Sequence, residues 1–158
     1  SEQVLHPGKY LAGEAPAEVC TRFRPARGQA CHSGVVGEYY LNVLLQEEGA
    51  LAAAPSVAAG WGGDLFTLYR DGATRLLLWE AHWDDAAAAA RFHAGLRRFL
   101  ERRFGAALRR GRCRGRAFLR GGSAAGHFFL SRDHDRLFYA RSNDRGKIEE
   151  LISGGIYD

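Results

Sequence analysis

Apolar and polar positions alternate most clearly in the middle of the chain, where they predict a β-hairpin. Two apolar runs, residues 65–70 and 74–83, flank the turn Asp71-Gly72. In the second run the odd positions are all apolar from residue 77 to 83, so this face is expected to meet the core. The even face mixes leucine with polar side chains. Glycines on both sides of Trp61 favour a sharp turn before the first strand.

A long amphipathic helix is predicted directly after the hairpin. Asp84 is a good N-cap, and the helix is expected to run to about Phe104. Its apolar stripe is expected to pack on the sheet and comprises Ala89, Phe92, Leu96, Phe99, Leu100 and Phe104. Arginines 91, 97, 98 and 102 are expected to face outward.

The flanking regions complete the predicted order of elements. Upstream, residues 1–33 are expected to be irregular. A helix is predicted over 35–48 through Val36, Tyr39, Tyr40, Val43 and Leu44, and a shorter one over 51–59. Downstream, a basic loop at 109–115 precedes strands at 116–120, 127–132 and 136–141 and a helix capped by Asp144. The fold class is therefore α+β, an antiparallel sheet with a long helix on one face and a helical and irregular N-terminal arm. We divide it into 1–60 and 61–158, packed as one unit.

Composition limits the class of protein. The chain has 158 residues, 46% of them hydrophobic, which suits one globular domain with a sizeable core. Its apolar runs are shorter than a transmembrane helix requires, and no signal-peptide pattern opens it. Because it begins at Ser1 and contains no methionine, we expect a processed product or a piece of a longer parent protein.

Basic charge is concentrated in one region. The net charge is +4, and residues 91–120 hold eleven arginines and a single acid, Glu101. Codon bias explains such a balance without function. The alternative is a docking surface for an anionic partner, formed by Arg97, Arg98, Arg102, Arg112 and Arg114. The interleaved phenylalanines have helical spacing and indicate core, so nucleic acid is the less favoured partner.

The three cysteines leave two alternatives open. Cys20 and Cys31 bracket a short segment that a disulfide could close in an oxidising compartment. Cys113 would then be a thiol with arginine on both sides, which favours the thiolate. Three unpaired cysteines are the other interpretation.

No complete catalytic motif is present. None of the six histidines has the i, i+4 spacing of a helical zinc motif, and there is no nucleophile elbow or phosphate-binding loop. His82 with Glu80, and His134 between two aspartates, could help bind a metal or orient a proton donor, but solvated surface positions are the favoured interpretation. We therefore expect no catalytic activity from this chain alone, and no cofactor in it.

Four segments together carry a resemblance to a family. Residues 1–10, SEQVLHPGKY, resemble the element STEQ(I/V)LHPEKY of a group of bacterial zincin-like, metallopeptidase-like proteins, with Gly8 in place of Glu. Gly37-Glu38 matches their GE helix, and residues 58–64 match AAGWGGD. Trp79, Trp83-Asp84 and Phe92 approximate a further element. The match covers about residues 1–104 in order.

The resemblance implies a C-terminal region that accompanies a zinc-bearing segment with a His-Glu-x-x-His motif. That motif is not in this chain. The implied role is a non-catalytic domain that packs on the zinc-bearing segment, with zinc in that partner and a secreted or cell-envelope location. His6 and Tyr10 could then donate to an oxyanion in the partner's cleft, although a structural turn with a buried ring is the simpler interpretation. Structural roles are expected for Trp61, Gly62, Gly63, Asp64, Trp79, Trp83 and Asp84, with the three tryptophans buried.

Overall fold

Seven antiparallel strands and four helices form the described part of the protein. The structure is a computed structural model that describes residues 5–20, 25–47 and 57–154. The helices are α1 (Pro7–Leu11), α2 (Gly37–Glu47), α3 (Ala86–Phe104) and α4 (Arg145–Ser153), and the strands are β1 (Gln29–Gly34), β2 (Trp61–Asp71), β3 (Thr74–Trp83), β4 (Arg109–Cys113), β5 (Arg116–Ser123), β6 (Gly126–Asp133) and β7 (Arg136–Ser142). The predicted α+β class is confirmed.

The strands lie in one sheet in the order β1-β2-β3-β7-β6-β5-β4, and every neighbouring pair is antiparallel. The chain runs from the β1 edge to β3 at the centre, and α3 then carries it to the opposite edge. Strands β4 to β7 return to the centre, where β7 pairs with β3. The two halves of the sheet therefore meet at β3, the strand with the clearest sequence pattern.

Both faces of the sheet are covered, which explains the composition of β3. One face carries Trp79, Ala81 and Trp83 into a cluster with α3. This confirms the predicted core face. The other face carries Leu76 and Leu78 into a second cluster with Ile148 and Leu151 of α4. Since α4 packs on this second face, Leu76 and Leu78 are buried as well, and Glu80 on the same face is only 7% exposed.

The long helix forms as predicted except at its cap. Its stripe packs on the sheet, with Phe92, Leu96, Phe99 and Leu100 buried. The N-cap is Asp85, one residue later than predicted, and its carboxylate accepts a hydrogen bond from the backbone of Ala88 at 2.7 Å. Gly105 ends the helix in the left-handed conformation, with φ of 59°.

Two edge strands were missed. The segment 1–33, predicted as irregular, contains α1 and all of β1 except Gly34, and the predicted basic loop at 109–115 contains β4. Neither strand shows apolar alternation, because β1 is exposed along nearly its whole length and β4 is rich in arginine. Backbone pairing with a neighbouring strand, rather than side-chain burial, places both. Such a strand leaves little signal in the hydrophobic pattern.

Helix α2 presents a different face to the core from the one predicted. Tyr39 and Tyr40 are 53% and 65% exposed, whereas Leu41 and Leu45 are buried. Apolar residues occur on nearly every side of this helix, so periodicity does not select a face. Hydrogen bonds at the first turn of α2 determine instead which of its faces is buried. Of the predicted helix at 51–59, residues 51–56 lie outside the described residues, and Val57 and Ala58 are buried. No helix in the described ranges is long and apolar enough to cross a membrane.

Candidate functional site

Asp64 is the structural centre of the glycine-rich stretch at the start of β2. A β-bulge between Trp61 and Gly63 precedes it, and the residue is only 4% exposed. Its carboxylate accepts hydrogen bonds from the indoles of Trp61 at 2.9 Å and Trp79 at 2.8 Å. It also accepts from the backbone of Val36 at 2.8 Å and of Gly37 at 2.9 Å. Asp64 therefore joins β2 and β3 to the start of α2.

The charge of Asp64 suits this position for a physical reason. The first N–H groups of a helix have no partner within the helix, and the helix dipole is positive at that end. The carboxylate of Asp64, on β2, accepts hydrogen bonds from N–H groups at the start of α2 and places a negative charge at the positive end of the helix dipole. Asp64 therefore acts for α2 as a cap residue does, from 27 residues away along the chain. This contact fixes the rotation of α2 and hence which of its faces is buried.

A second buried carboxylate, Glu38, lies in the first turn of α2 and meets the N-terminal arm. Glu38 is 2% exposed. Both of its carboxylate oxygens lie 3.0 Å from Nε2 of His6, whose side chain is 40% exposed. Donation to a carboxylate requires the proton on Nε2. The arm therefore covers Glu38 with a single imidazole.

Lys9 forms the next contact between the arm and the sheet. Its ammonium lies 2.7 Å from a carboxylate oxygen of Asp84 and 3.4 Å from one of Glu14. The backbone N–H of Asp84 donates to the carbonyl of Gly60 at 2.7 Å. Asp84 is thus bound to the arm and to the start of β2 rather than capping α3.

Gly62 and Gly63 allow the arm to cross β2. The backbone N–H of Ala17 donates to the carbonyl of Gly62 at 2.7 Å. A Cβ on Gly63 would overlap the carbonyl oxygen of Ala17. Close approach of two backbones is one of the situations that require glycine. The arm and the glycine-rich stretch are therefore fitted to each other.

All four segments of the resemblance meet in one place, which we call the motif junction: His6, Lys9, Glu38, Asp64 and Asp84. The three tryptophans are buried as predicted, with exposures of 3% for Trp61, 5% for Trp79 and 3% for Trp83. Trp83 differs from the other two, because its indole N–H is buried without a hydrogen-bond partner among the described residues. Sequence reasoning missed that His6 binds Glu38 and Lys9 binds Asp84. The only sequence feature that pointed to these contacts was that all four residues lie in segments that carry the family resemblance.

Within the described residues, the motif junction contains the pair His6 and Glu38 but no set of metal ligands. Among the described residues, no group of three or more His, Cys, Asp or Glu side chains could hold a metal ion. Asp64 is saturated by donors, and Nε2 of His6 is engaged by Glu38. Tyr10 is 62% exposed. His6 and Tyr10 could therefore act only on a group supplied by another molecule, and their oxyanion role stays a hypothesis.

Exposed apolar side chains are concentrated in the two segments that meet at His6 and Glu38. The large hydrophobic side chains that are exposed in the described ranges all belong to the arm or the region of α2 and are Leu5, Tyr10, Leu11, Val35, Tyr39, Tyr40 and Leu44. The contact of His6 with Glu38 brings these two segments together. The rings of Tyr39 and Tyr40 meet edge to face, with centroids 5.6 Å apart. We call this set the N-terminal apolar surface.

The structure divides the predicted arginine set between two elements. Arg97, Arg98 and Arg102 lie on α3, where Arg97 pairs with Glu101 at 2.9 Å. Arg112 lies on β4, and Arg114 occupies the following turn with φ of 49°.

A hollow lies between His93 of α3 and the arginines of β4. Arg110 and Arg112 of β4 line this hollow together with His93 of α3. Burial, followed by the charges of Arg132 and Arg97, lowers the pKa of His93 to about 4.

Cys20 and Cys31 are exposed free thiols in the structure, and Cys31 Sγ lies 3.2 Å from the carbonyl of Leu68. A bridge between these two cysteines in an oxidising compartment stays a prediction. Cys113 is partly buried, and its thiol lies 3.2 Å from the carbonyl of Ile152. Its contact is thus with the backbone of α4.

Comparison with known proteins gives one match. The model of the family described as Domain of unknown function (DUF8575) matches residues 22–152. Searches of curated proteins and of solved structures found no match. The matched range contains the whole sheet, α2, α3 and all of α4 except Ser153. The arm contacts of His6, Lys9 and Ala17 come from outside it.

Proposed function

This chain belongs to the family Domain of unknown function (DUF8575). We propose that the protein is a non-catalytic accessory domain of a bacterial metallopeptidase-like protein. It packs through the N-terminal apolar surface onto a zinc-bearing segment. The zinc-bearing nature of the partner rests on the sequence resemblance, and the docking surface rests on the structure.

The observation that carries this proposal is the concentration of exposed apolar side chains. Single exposed hydrophobic residues are normal, but contiguous apolar surface bordered by polar groups marks an interaction site. Here Tyr10, Leu11 and Tyr40 are between 62% and 83% exposed, close to the buried Glu38. Tyrosine is enriched at protein interfaces, since it combines a large apolar ring with a polar hydroxyl. A partner protein is the occupant that such a surface suits.

The motif junction supports a structural role for the segments that resemble the metallopeptidase-like proteins. Asp64 binds four donors, and Glu38 and Asp84 hold the arm. These contacts set the positions of α1 and α2, which carry the docking surface. In this proposal His6 and Tyr10 lie at the border of the partner's cleft, where either could stabilise a developing oxyanion.

The first experiment is native mass spectrometry of the protein isolated from its source, with the metal content read from the same species. A co-isolating chain or segment that carries zinc is the expected result. A lone, metal-free species near 17.4 kDa would contradict the proposal. The surface is then tested with the double substitution Tyr39→Ser and Tyr40→Ser, which is expected to weaken assembly at least tenfold while leaving the far-UV circular dichroism unchanged. The matched control is Arg91→Ser with Arg98→Ser, two exposed positions on α3.

A second candidate function uses the Arg-rich face of residues 91–120 for an anionic partner. The observation in its favour is the concentration of Arg109, Arg110 and Arg112 on β4, at an open edge of the sheet. Against it, Arg120 pairs with Glu149 at 2.8 Å, and Arg97 pairs with Glu101. Loss of heparin binding in the variant Arg97→Glu with Arg102→Glu, with partner assembly intact, would favour this candidate. Unchanged heparin binding in this variant would instead favour the first candidate function, the accessory domain.

A further inference from the structure

A hollow with almost entirely apolar walls lies between α2 and α3 on one face of the sheet. Its volume is about 350 Å³, within the range of roughly 300–1,000 Å³ typical of small-molecule pockets. Leu41 and Leu44 of α2 form one wall, Leu96 and Leu100 of α3 another, and Leu77 and Tyr139 belong to the floor. Leu44 is 37% exposed at the rim. An apolar group can therefore enter from solvent.

A fixed positive charge borders this hollow. Side chains alternate along β7, so Arg141 lies on the same face of the sheet as Tyr139. The guanidinium carbon of Arg141 is 4.8 Å from the ring centroid of Phe104, which lines the hollow. Arg141 also lines an adjoining hollow that shares Leu77 with the first. The apolar space thus continues to a cation at one end.

The geometry of Arg141 leaves donors for a ligand. Its Nε and Nη2 donate to the carbonyl of Ala125 at 3.2 and 2.8 Å, which holds the guanidinium plane in place. A guanidinium has five N–H groups, and these bonds use two. Arginine is the side chain best suited to a carboxylate, because its planar group can donate two parallel hydrogen bonds. Burial raises the pKa of Tyr139, so its hydroxyl keeps its proton and can donate as well.

We propose that this hollow binds a small amphipathic carboxylate, with its aliphatic or aromatic tail between α2 and α3 and its carboxylate at Arg141. Charge complementarity selects this class of ligand, since the walls favour a hydrocarbon and the guanidinium of Arg141 at the border favours an anion. A neutral alcohol of the same chain length would satisfy the walls but not Arg141. The proposal does not depend on the accessory role described above, because the carboxylate site is complete within this chain.

Isothermal titration of the full chain with decanoate and with 1-decanol tests the proposal. Decanoate is expected to bind saturably and more tightly than decanol. Arg141→Gln is expected to weaken decanoate binding about tenfold or more, because a hydrogen bond to a charged group is lost, while decanol binding changes little. The control Arg145→Gln, at a side chain 73% exposed on α4, is expected to leave both affinities unchanged.

Since Arg141 packs on Phe104 and Phe128, Arg141→Gln could perturb the fold, and a second variant is needed. Leu77→Trp fills the hollow at a half-buried position and is expected to abolish binding of both ligands with little change in Tm. Equal affinity for decanoate and decanol would overturn the assignment of Arg141 as the carboxylate site. Absence of saturable decanoate binding would overturn the whole proposal. The proposal would also be overturned if Leu77→Trp lost partner assembly and the wild-type protein did not bind decanoate. A side chain of the partner protein would then be the occupant of the hollow.

Discussion

At the scale of single residues, two buried carboxylates determine how the parts of the protein meet. Asp64 and Glu38 both lie within the region where α2 begins, and each binds groups distant in sequence. A buried charge is costly unless it is fully hydrogen-bonded. Asp64 meets this condition with four donors, whereas the two oxygens of Glu38 share the single Nε2–H of His6. The two sites therefore differ in how strongly they depend on a single partner.

Replacing Asp64 is expected to be among the most destabilising changes in this protein. Asp64→Ala leaves two indole N–H groups and the first N–H groups of α2 without their acceptor. We expect the free energy of unfolding to fall by about 3 kcal/mol or more. Asp64→Asn is also expected to be strongly destabilising despite its equal size, because each carboxylate oxygen accepts from two donors and an amide NH₂ would oppose two of them. Urea denaturation followed by tryptophan fluorescence measures both values.

Asp84→Ala is the matched control, since its carboxylate is 38% exposed and binds Lys9. An exposed ion pair contributes only about 0–1 kcal/mol, so this variant is expected to unfold near the wild-type midpoint. A loss below about 1 kcal/mol for Asp64→Ala would show that Asp64 is not the structural centre of the region.

His93 gives the protein a dependence of stability on pH. Its folded pKa is lowered to about 4 from 6.5, first by burial and then by Arg132 and Arg97. The unfolded chain therefore binds the proton more readily, so the contribution to stability is complete above about pH 6.5 and is lost as the pH falls towards 4. We expect a loss of roughly 1–2 kcal/mol after allowance for solvent screening. Chemical denaturation between pH 7 and pH 4 measures it.

Carboxylates titrate in the same window, so the pH effect of His93 is read from a difference between variants. His93→Gln removes the titrating group, and its stability is expected to fall less than that of the wild type between pH 6.5 and 4. His134→Gln, at a side chain 88% exposed, is the control and should follow the wild-type curve. Identical curves for wild type and His93→Gln would refute the assignment.

At the scale of elements, local pattern predicts what local forces determine. The β2–β3 turn, the apolar face of β3, the stripe of α3 and the cap Asp144 all follow from residues close in sequence. The edge strands and the rotation of α2 depend on distant partners, namely β2 for β1, β5 for β4, and Asp64 for α2. No periodicity within these segments contains that information. The motif junction shares this limit, since its contacts join residues as far as 75 positions apart.

The arginines of β4 have a role at the scale of the strand. An edge strand exposes backbone groups that can pair with another chain, and charged side chains prevent this. Arg110→Val with Arg112→Val is therefore expected to convert the protein from a single species to a mixture that associates with increasing concentration. Sedimentation velocity at several concentrations measures the change. The control pair Arg91→Val with Arg98→Val lies on the exposed side of α3 and should leave the protein in its original state. Equal behaviour of both pairs would mean that surface charge in general, and not the strand edge, sets solubility.

At the scale of the whole molecule, the N-terminal arm connects elements that the sheet alone does not. It reaches α2 through His6, the start of α3 through Lys9 and β2 through Ala17. Further along, the backbone of Ala26 donates to a carboxylate oxygen of Glu150 on α4 at 3.0 Å. The arm thus contacts helices on both faces of the sheet. We therefore expect residues 1–60 and 61–158 to unfold as one cooperative unit, with coincident transitions by tryptophan fluorescence and circular dichroism.

Removing residues 1–19 tests this role of the arm. The truncated protein loses the contacts of His6, Lys9 and Ala17, and its unfolding free energy is expected to fall by roughly 2 kcal/mol or more. Glu38→Gln separates the contact of His6 with Glu38 from the other losses. In the full chain the substitution removes a charged acceptor from His6 and is expected to destabilise the protein, whereas in the truncated chain His6 is absent and the Glu38 side chain is open to solvent, so the substitution is expected to have little effect. An equal loss of stability in both backgrounds would show that the contact with His6 does not account for the effect of Glu38→Gln.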